Sequence, residues 1–218
     1  MTDPVLHLVD DRSAADLGTY LRRAGRADPD GGARMVVHGN VLAVYVCPLV
    51  GGGGPTAMGL RTFALTSGTA VDGLDVVVPI AALGDRLARP ENGSAVPVPP
   101  MSLTGLAWTG IAPPRSGWEP GGTVPGRELL EAADAGISEV AAGSPDAAGA
   151  PAVALLRARV WGRSLPGSPA VPAGAAFVAH ALGFVVRDEE ATLFTNGPWT
   201  RLSMIRGHVL ARLPLLGR

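Results

Sequence analysis

Apolar positions between Ser13 and Gly25 recur with helical spacing: Leu17, Tyr20, Leu21 and Ala24 fall at i, i+3, i+4 and i+7. Ser13 reads as the cap of that helix, with Asp16 three residues on as an acidic partner for the free amides. Arg22 and Arg23 sit where the helix dipole favours cations, and Gly25 reads as its stop. The period then changes from 3.6 to 2. Residues 34–38 and 41–47 flank Gly39-Asn40, a pair suited to a tight hairpin turn. That turn sets His38 opposite Val41, Val36 opposite Ala43 and Arg34 opposite Tyr45. Met35, Val37, Leu42, Val44 and Val46 then share one wholly apolar face, which predicts core. Residues 58–65 and 74–80 are two further strand-like runs, and a short helix follows over 80–89. Their short connections imply antiparallel pairing.

Two breaker-rich segments, 90–100 and 112–126, interrupt the pattern, and composition shifts there from Val-rich to Ala-rich. A helix over 127–140 carries Leu130, Ala133, Ile137 and Val140 as its apolar stripe, with Glu128, Glu131, Asp134 and Glu139 outside. A second helix spans about 150–161, and a third runs over 173–182, with Pro172 in its first turn and Gly183 as its stop. The end reads as a three-stranded meander over 191–195, 199–205 and 208–213, turning at Asn196-Gly197 and Arg206-Gly207. No internal repeat is evident. The fold class expected is α+β: an N-terminal antiparallel β-sheet with flanking helices, then a three-helix segment and a C-terminal three-stranded β-meander. Residues 1–111 form a sheet subdomain, 112–126 a Pro/Gly-rich connection, and 127–218 a helical subdomain ending in the meander, the two packed tightly.

Composition narrows the chemistry. The 218 residues carry 18 basic and 19 acidic side chains, and every basic one is Arg; Lys and Gln are absent. Together with the abundance of Ala, Gly, Val and Pro, this reads as the codon bias of a high-GC bacterial genome. The absence of Lys excludes a Walker A lysine, a Schiff-base lysine and a Ser-x-x-Lys pair. Cys47 is the sole cysteine, which forbids an internal disulfide and fits a reducing cytoplasm. The opening MTDPVLHLVDD has neither the charged nor the apolar region of a secretory signal. No apolar run reaches the about 20 residues of a membrane-spanning helix, because Gly51 or Pro166, Pro169 and Pro172 interrupt each candidate. A cytoplasmic location is expected.

Catalytic constellations fail on spacing. Glycines 51–54 follow a strand but lead to Pro55 rather than to a helix with Lys-Ser/Thr, so they read as a strand connection. Cys47 lies about 20 Å of strand rise from His38 in the expected hairpin, too far for a nucleophile and base. His7, His38, His180 and His208 show no metal-ligand spacing. Asp10-Asp11 could hold Mg²⁺ but reads better as acidic charge at a helix start. No Gly-x-Ser-x-Gly elbow occurs. No catalytic residue, metal site or cofactor is assigned.

What remains is aromatic and cationic. Trp108, Arg115 and Trp118 lie in and beside the stretch PPRSGWEPGG, either as a recognition loop (Arg115, Trp118) or as a clamp pinning a long connection. In the meander, tight turns place Leu193, Leu202, Met204, Val209, Ala211 and Leu213 on one apolar face. Phe194 then opposes Trp199 on the other face, with Thr192, Arg201, His208 and Arg212 beside them. Arg201 faces Arg212, a like-charge pair that needs an anion, with Asp188, Glu189 or Glu190 as local candidates. Phe194, Trp199, Arg201 and Arg212 are the candidate partner-binding residues, through stacking or cation–π contact; the alternative is that the first-half sheet or its connection covers Phe194 and Trp199 as buried aromatics. From Arg157 onward eight Arg stand against three acids, but the helix AGAAFVAHALGF offers no side chain to read bases. The function expected is a non-enzymatic cytoplasmic module that binds another protein. A small-molecule enzyme using Asp10, Asp11 and a distant His is the first alternative, and single-stranded nucleic-acid binding through the meander the second.

Overall fold

The computed structural model describes residues 4–51, 54–66, 71–110, 112–143 and 149–213. The chain divides into two compact units, Met1–Pro48 with Leu60–Gly110, and Leu49–Gly59 with Ile111–Arg218. The first follows the order β1 (Val5–His7), α1 (Asp11–Ala27), β2 (Gly32–His38), β3 (Val41–Leu49), β4 (Thr56–Ala64), β5 (Asp75–Pro79), α2 (Ile80–Leu87) and β6 (Ala95–Pro97). Its strand order is β5-β2-β3-β4, and β1 pairs with β6 in a separate ribbon.

The hairpin forms in the register its turn dictates, with His38↔Val41, Val36↔Ala43 and Arg34↔Tyr45. Met35, Val37, Leu42, Val44 and Val46 are all buried, while Arg34 and Tyr45 stay half-exposed. Helix α1 buries Leu17, Tyr20, Leu21 and Ala24. The Tyr20 hydroxyl donates to the Val44 carbonyl at 3.3 Å, which satisfies a phenol in the core. The ends of α1 differ from the pattern-based reading. Asp10 is the cap, its carboxylate accepting from the Ser13 backbone N–H at 2.7 Å. Gly25 does not stop the helix; it lies under Ile80, whose Cγ2 would touch an added Cβ at 3.5 Å, and the helix continues to Ala27. Arg34 links β2 to β5 by a two-pronged ion pair with Asp75, at 2.8 and 2.7 Å.

The second unit runs β7 (Glu119–Pro125), α3 (Gly126–Ala142), α4 (Ala150–Gly162), β8 (Ser164–Leu165), β9 (Ser168–Pro172), α5 (Ala173–Ala181), β10 (Glu190–Asn196), β11 (Trp199–Met204) and β12 (Gly207–Arg212). Its strand order is β7-β10-β11-β12, with β8-β9 a separate ribbon between α4 and α5. The segment 112–126 is thus not only a connection: its strand β7 pairs alongside the three-stranded β10-β11-β12 meander. Its second half is an edge strand, the position in a sheet that tolerates Pro and Gly. The register shifts between Leu193 and Phe194, which pair with Gly122 and Pro120. Gly121 between them would bring a Cβ within 2.9 Å of Leu193 Cγ. A side chain there would force Leu193 to shift.

Helix α3 also turns a different face inward from the one expected. Leu129, Ala133 and Gly136 are buried, whereas Leu130 is half-buried and Ile137 is 38% exposed. The cause is Trp161 of α4, whose ring lies on Gly136 and stacks on Phe177 of α5 with centroids 4.6 Å apart. Helix α5 ends where predicted, with Gly183 at φ 67°, but Pro172 caps it rather than entering its first turn.

Although the sequence shows no repeat, the two units share one plan. In each, a helix (α1, α5) leads to a three-stranded meander. In each, an outer strand pairs with the first meander strand and passes straight into a second helix that packs on the first. The junctions match: Val78-Pro79 before α2 and Val124-Pro125 before α3, each Val fully buried and each Pro extended as the helix cap. The chain order is permuted between the units, so no fixed sequence period reports the likeness.

Candidate interaction face

The outer face of the β10-β11-β12 meander carries the predicted site residues, in rows different from those expected. Asn196 pairs with Trp199 and Met204 with Gly207, so the turns are Gly197-Pro198 and Ile205-Arg206. Two side-chain requirements shift each register. Asn196 stays in β10 because its Nδ2 donates to the Ser116 and Gly117 carbonyls, both at 2.9 Å. Gly207 stays in β12 because the Phe184 ring fills the place of its absent Cβ, with ring atoms 2.7 Å from where it would lie. A shift of two preserves the faces but changes the partners. Phe194 faces Arg201, Arg201 faces Leu210, and Trp199 faces Arg212. The like-charge opposition of Arg201 and Arg212 does not occur. On the opposite face, Leu193, Leu202, Val209 and Ala211 are buried, Met204 is half-buried and Leu213 is 37% exposed.

Arg201 is held between two rings. Its guanidinium carbon lies 4.3 Å from the Phe194 centroid and 4.8 Å from the Trp118 centroid. The Trp118 indole N–H donates to the Pro114 carbonyl at 3.0 Å, and the Asn196 bonds fix the residues before it. The loop therefore folds onto the sheet face, and its Trp118 is a fixed wall. The Nε atoms of Arg201 and Arg212 are both buried and make no hydrogen bond to any described residue. Burial pulls the Arg201 guanidinium below its ordinary range, and Arg remains charged nonetheless. Among the described residues no carboxylate pairs with either arginine; Asp188, Glu189 and Glu190 do not reach Arg201. In the next row the Ser203 hydroxyl and His208 Nδ1 lie 3.0 Å apart. Burial, and then the Arg201 charge, hold the His208 imidazolium below its ordinary 6.5, which favours a neutral ring.

Trp199 does not belong to the accessible part of this face. It is 6% exposed and Leu210 is 3% exposed, so the ring is structural payload. Phe194, Trp118, Arg201 and Arg212 are half-exposed, and Arg115 and Thr192 are exposed. Trp108 is 4% exposed within a short 3₁₀ turn, Ala107–Gly110. Cys47 is buried at 4%, and the Asp10 carboxylate is occupied in capping. Glycines 52 and 53 lie outside the described residues, and Gly51 donates its N–H to the Thr56 hydroxyl at 3.1 Å. Among the described residues no group of three His, Cys, Asp or Glu is placed to share a metal, and no helix is long and apolar enough to cross a membrane. Sequence reasoning missed a groove of about 730 Å³ between α1 and α2, floored by Ala15, Gly18, Ala81 and Gly84. Small residues at helical spacing were its only signal.

Residues 1–110, half of the chain, match the family model described as Domain of unknown function (DUF8010). The chain belongs to the DUF8010 family. Residues 113–215 match a second model, Domain of unknown function (DUF8185). No curated protein matches the chain. Among solved structures, the DNA polymerase sliding clamp of Pseudomonas aeruginosa superposes with a TM-score of 0.52 at 11% identity, over 100% of this chain and 65% of the clamp. A putative DNA polymerase III beta subunit from Eubacterium rectale gives 0.55 at 8% identity, over 100% and 66%. The Caulobacter crescentus sliding clamp gives 0.50 at 10%, again over 100% and 66%. This DUF8010 member therefore has a mixed α+β, sliding-clamp-like fold and spans about two thirds of the length of those clamps.

Proposed function

We propose that this chain is a non-enzymatic, cytoplasmic protein-interaction module that receives another protein on the outer face of its C-terminal meander. The observation that carries this reading is Arg201, a cation held between Trp118 and Phe194 with its Nε buried and without a hydrogen bond to any described residue. An arginine desolvated in this way costs stability unless another group compensates it. The sliding-clamp-like fold supports a scaffold role, and the failure of each catalytic constellation supports binding without chemistry.

The test is photo-cross-linking in cells of a high-GC bacterium expressing the full chain. The photo-reactive residue p-benzoylphenylalanine replaces exposed Thr192 on this face or, as a control, exposed Val41. After nuclease treatment, position 192 should yield a discrete protein adduct that position 41 does not, and Phe194→Ser should remove it. No adduct at 192, equal adducts at both positions, or an adduct insensitive to Phe194→Ser would overturn the reading.

A further inference from the structure

Resting on the face assigned above, we infer that Arg201 is a receptor for a single carboxylate, so that the partner presents an Asp or Glu side chain flanked by apolar residues. The geometry specifies the chemistry. The guanidinium carbon lies over the Phe194 ring at 4.3 Å and over the Trp118 ring at 4.8 Å, and its Nε is buried. The terminal N–H groups are the donors left for a ligand. A carboxylate accepts two such parallel N–H bonds in one plane, the strong, two-pronged arrangement that Arg–Asp pairs adopt. Arg34 holds Asp75 in this two-pronged way through Nε and Nη2; with its Nε buried, Arg201 would offer its two terminal nitrogens instead.

The surroundings favour a peptide over a nucleic acid. The accessible surroundings are apolar or neutral: the half-exposed rings of Phe194 and Trp118, Ser203, and a His208 whose charge is disfavoured by burial and by Arg201. A polyphosphate backbone needs a track of several exposed cations; of the arginines at this face Arg115 is exposed, whereas Arg201 and Arg212 are half-buried. Arg115, exposed three residues before Trp118, and Arg212 beside Trp199 add positive potential without a carboxylate partner among the described residues. Glu119, next to Trp118, pairs with Thr195 and so alternates to the opposite face from Phe194. The charge of the face is uncompensated and positive. An acidic-apolar segment complements it.

The experiment measures fluorescence polarisation of three labelled probes on the full chain: a twelve-residue peptide of alternating Glu and Leu, its Gln/Leu counterpart, and a twelve-nucleotide oligothymidylate. The Glu peptide should bind, with the Gln peptide and the oligonucleotide each at least tenfold weaker. Arg201→Lys should weaken the Glu peptide at least tenfold although the charge is kept, because an ammonium lacks the planar fork. Circular dichroism checks that this variant folds; if it does not, the Glu-against-Gln comparison on the unmodified chain decides alone. Equal binding of the two peptides, no binding of either, preference for the oligonucleotide, or a folded Arg201→Lys that binds like the parent would overturn the carboxylate assignment. An adduct at position 192 that persists alongside such a result would leave the face standing and remove only its chemistry.

Discussion

Gly136→Ala pits intrinsic helix preference against packing. In an open helical position this change stabilises by about 1 kcal/mol, because Gly has more backbone freedom to lose. At position 136 the new Cβ would lie 2.3 Å from Trp161 Cζ3 and 2.7 Å from Cη2, against an ordinary carbon contact of about 3.5–4.0 Å. The indole must retreat by about 1 Å or more. It cannot do so freely, since it is 2% exposed and stacks at 4.6 Å on Phe177. Overpacking of a core costs about 1–3 kcal/mol, and a rigid ring backed by a second ring belongs at the upper end. Subtracting the helix gain leaves a loss of about 2 kcal/mol, or a fall of about 4–8 °C in Tm for a chain of this size. The control is Gly84→Ala in α2, where an added Cβ meets nothing within 4 Å; it should raise Tm by about 2–4 °C. Thermal unfolding followed by circular dichroism reads both. In a Trp161→Phe background the penalty of Gly136→Ala should shrink, since residues in contact do not add. A Gly136→Ala variant as stable as Gly84→Ala would refute the packing of α3, α4 and α5 around Trp161.

Trp199→Ala should cost about 3–5 kcal/mol in chemical denaturation, the loss for a buried large aromatic; a loss under about 1 kcal/mol would return the ring to the accessible face. Arg34→Ala should lower stability by no more than about 1 kcal/mol, because Asp75 is 44% exposed and solvent screens the pair; raising salt to 1 M should narrow the difference from the parent. His208 is held below its ordinary 6.5, so the unfolded chain binds a proton more readily than the folded one. Its contribution is full above pH 6.5 and is lost as pH falls below that value toward the folded pKa. His208→Gln should flatten stability against pH in that window, and an unchanged slope would exclude His208 as its source.

The sequence by itself determined those parts of the molecule whose partners are neighbours in the chain. The β2–β3 hairpin was legible because Gly39-Asn40 fixes a register and only one parity gives an all-apolar face. The buried stripe of α1 was legible because Leu17, Tyr20, Leu21 and Ala24 repeat at the helical period. The aromatic and cationic character of the meander's outer face was legible too, since a register error of two leaves each side chain on its own side. Tertiary structure decided the rest, wherever a distant residue outweighed a local preference. Asn196 left the turn to hold the loop at Ser116 and Gly117, and Gly207 left its turn to accept the Phe184 ring. Trp161 rotated the buried face of α3 onto Gly136. Pairing with β10 made an edge strand of a run whose glycines and prolines locally favour a loop. The site followed the same rule: Arg201 and Trp118 are 83 positions apart in sequence, and only the folded sheet brings the guanidinium between its two rings.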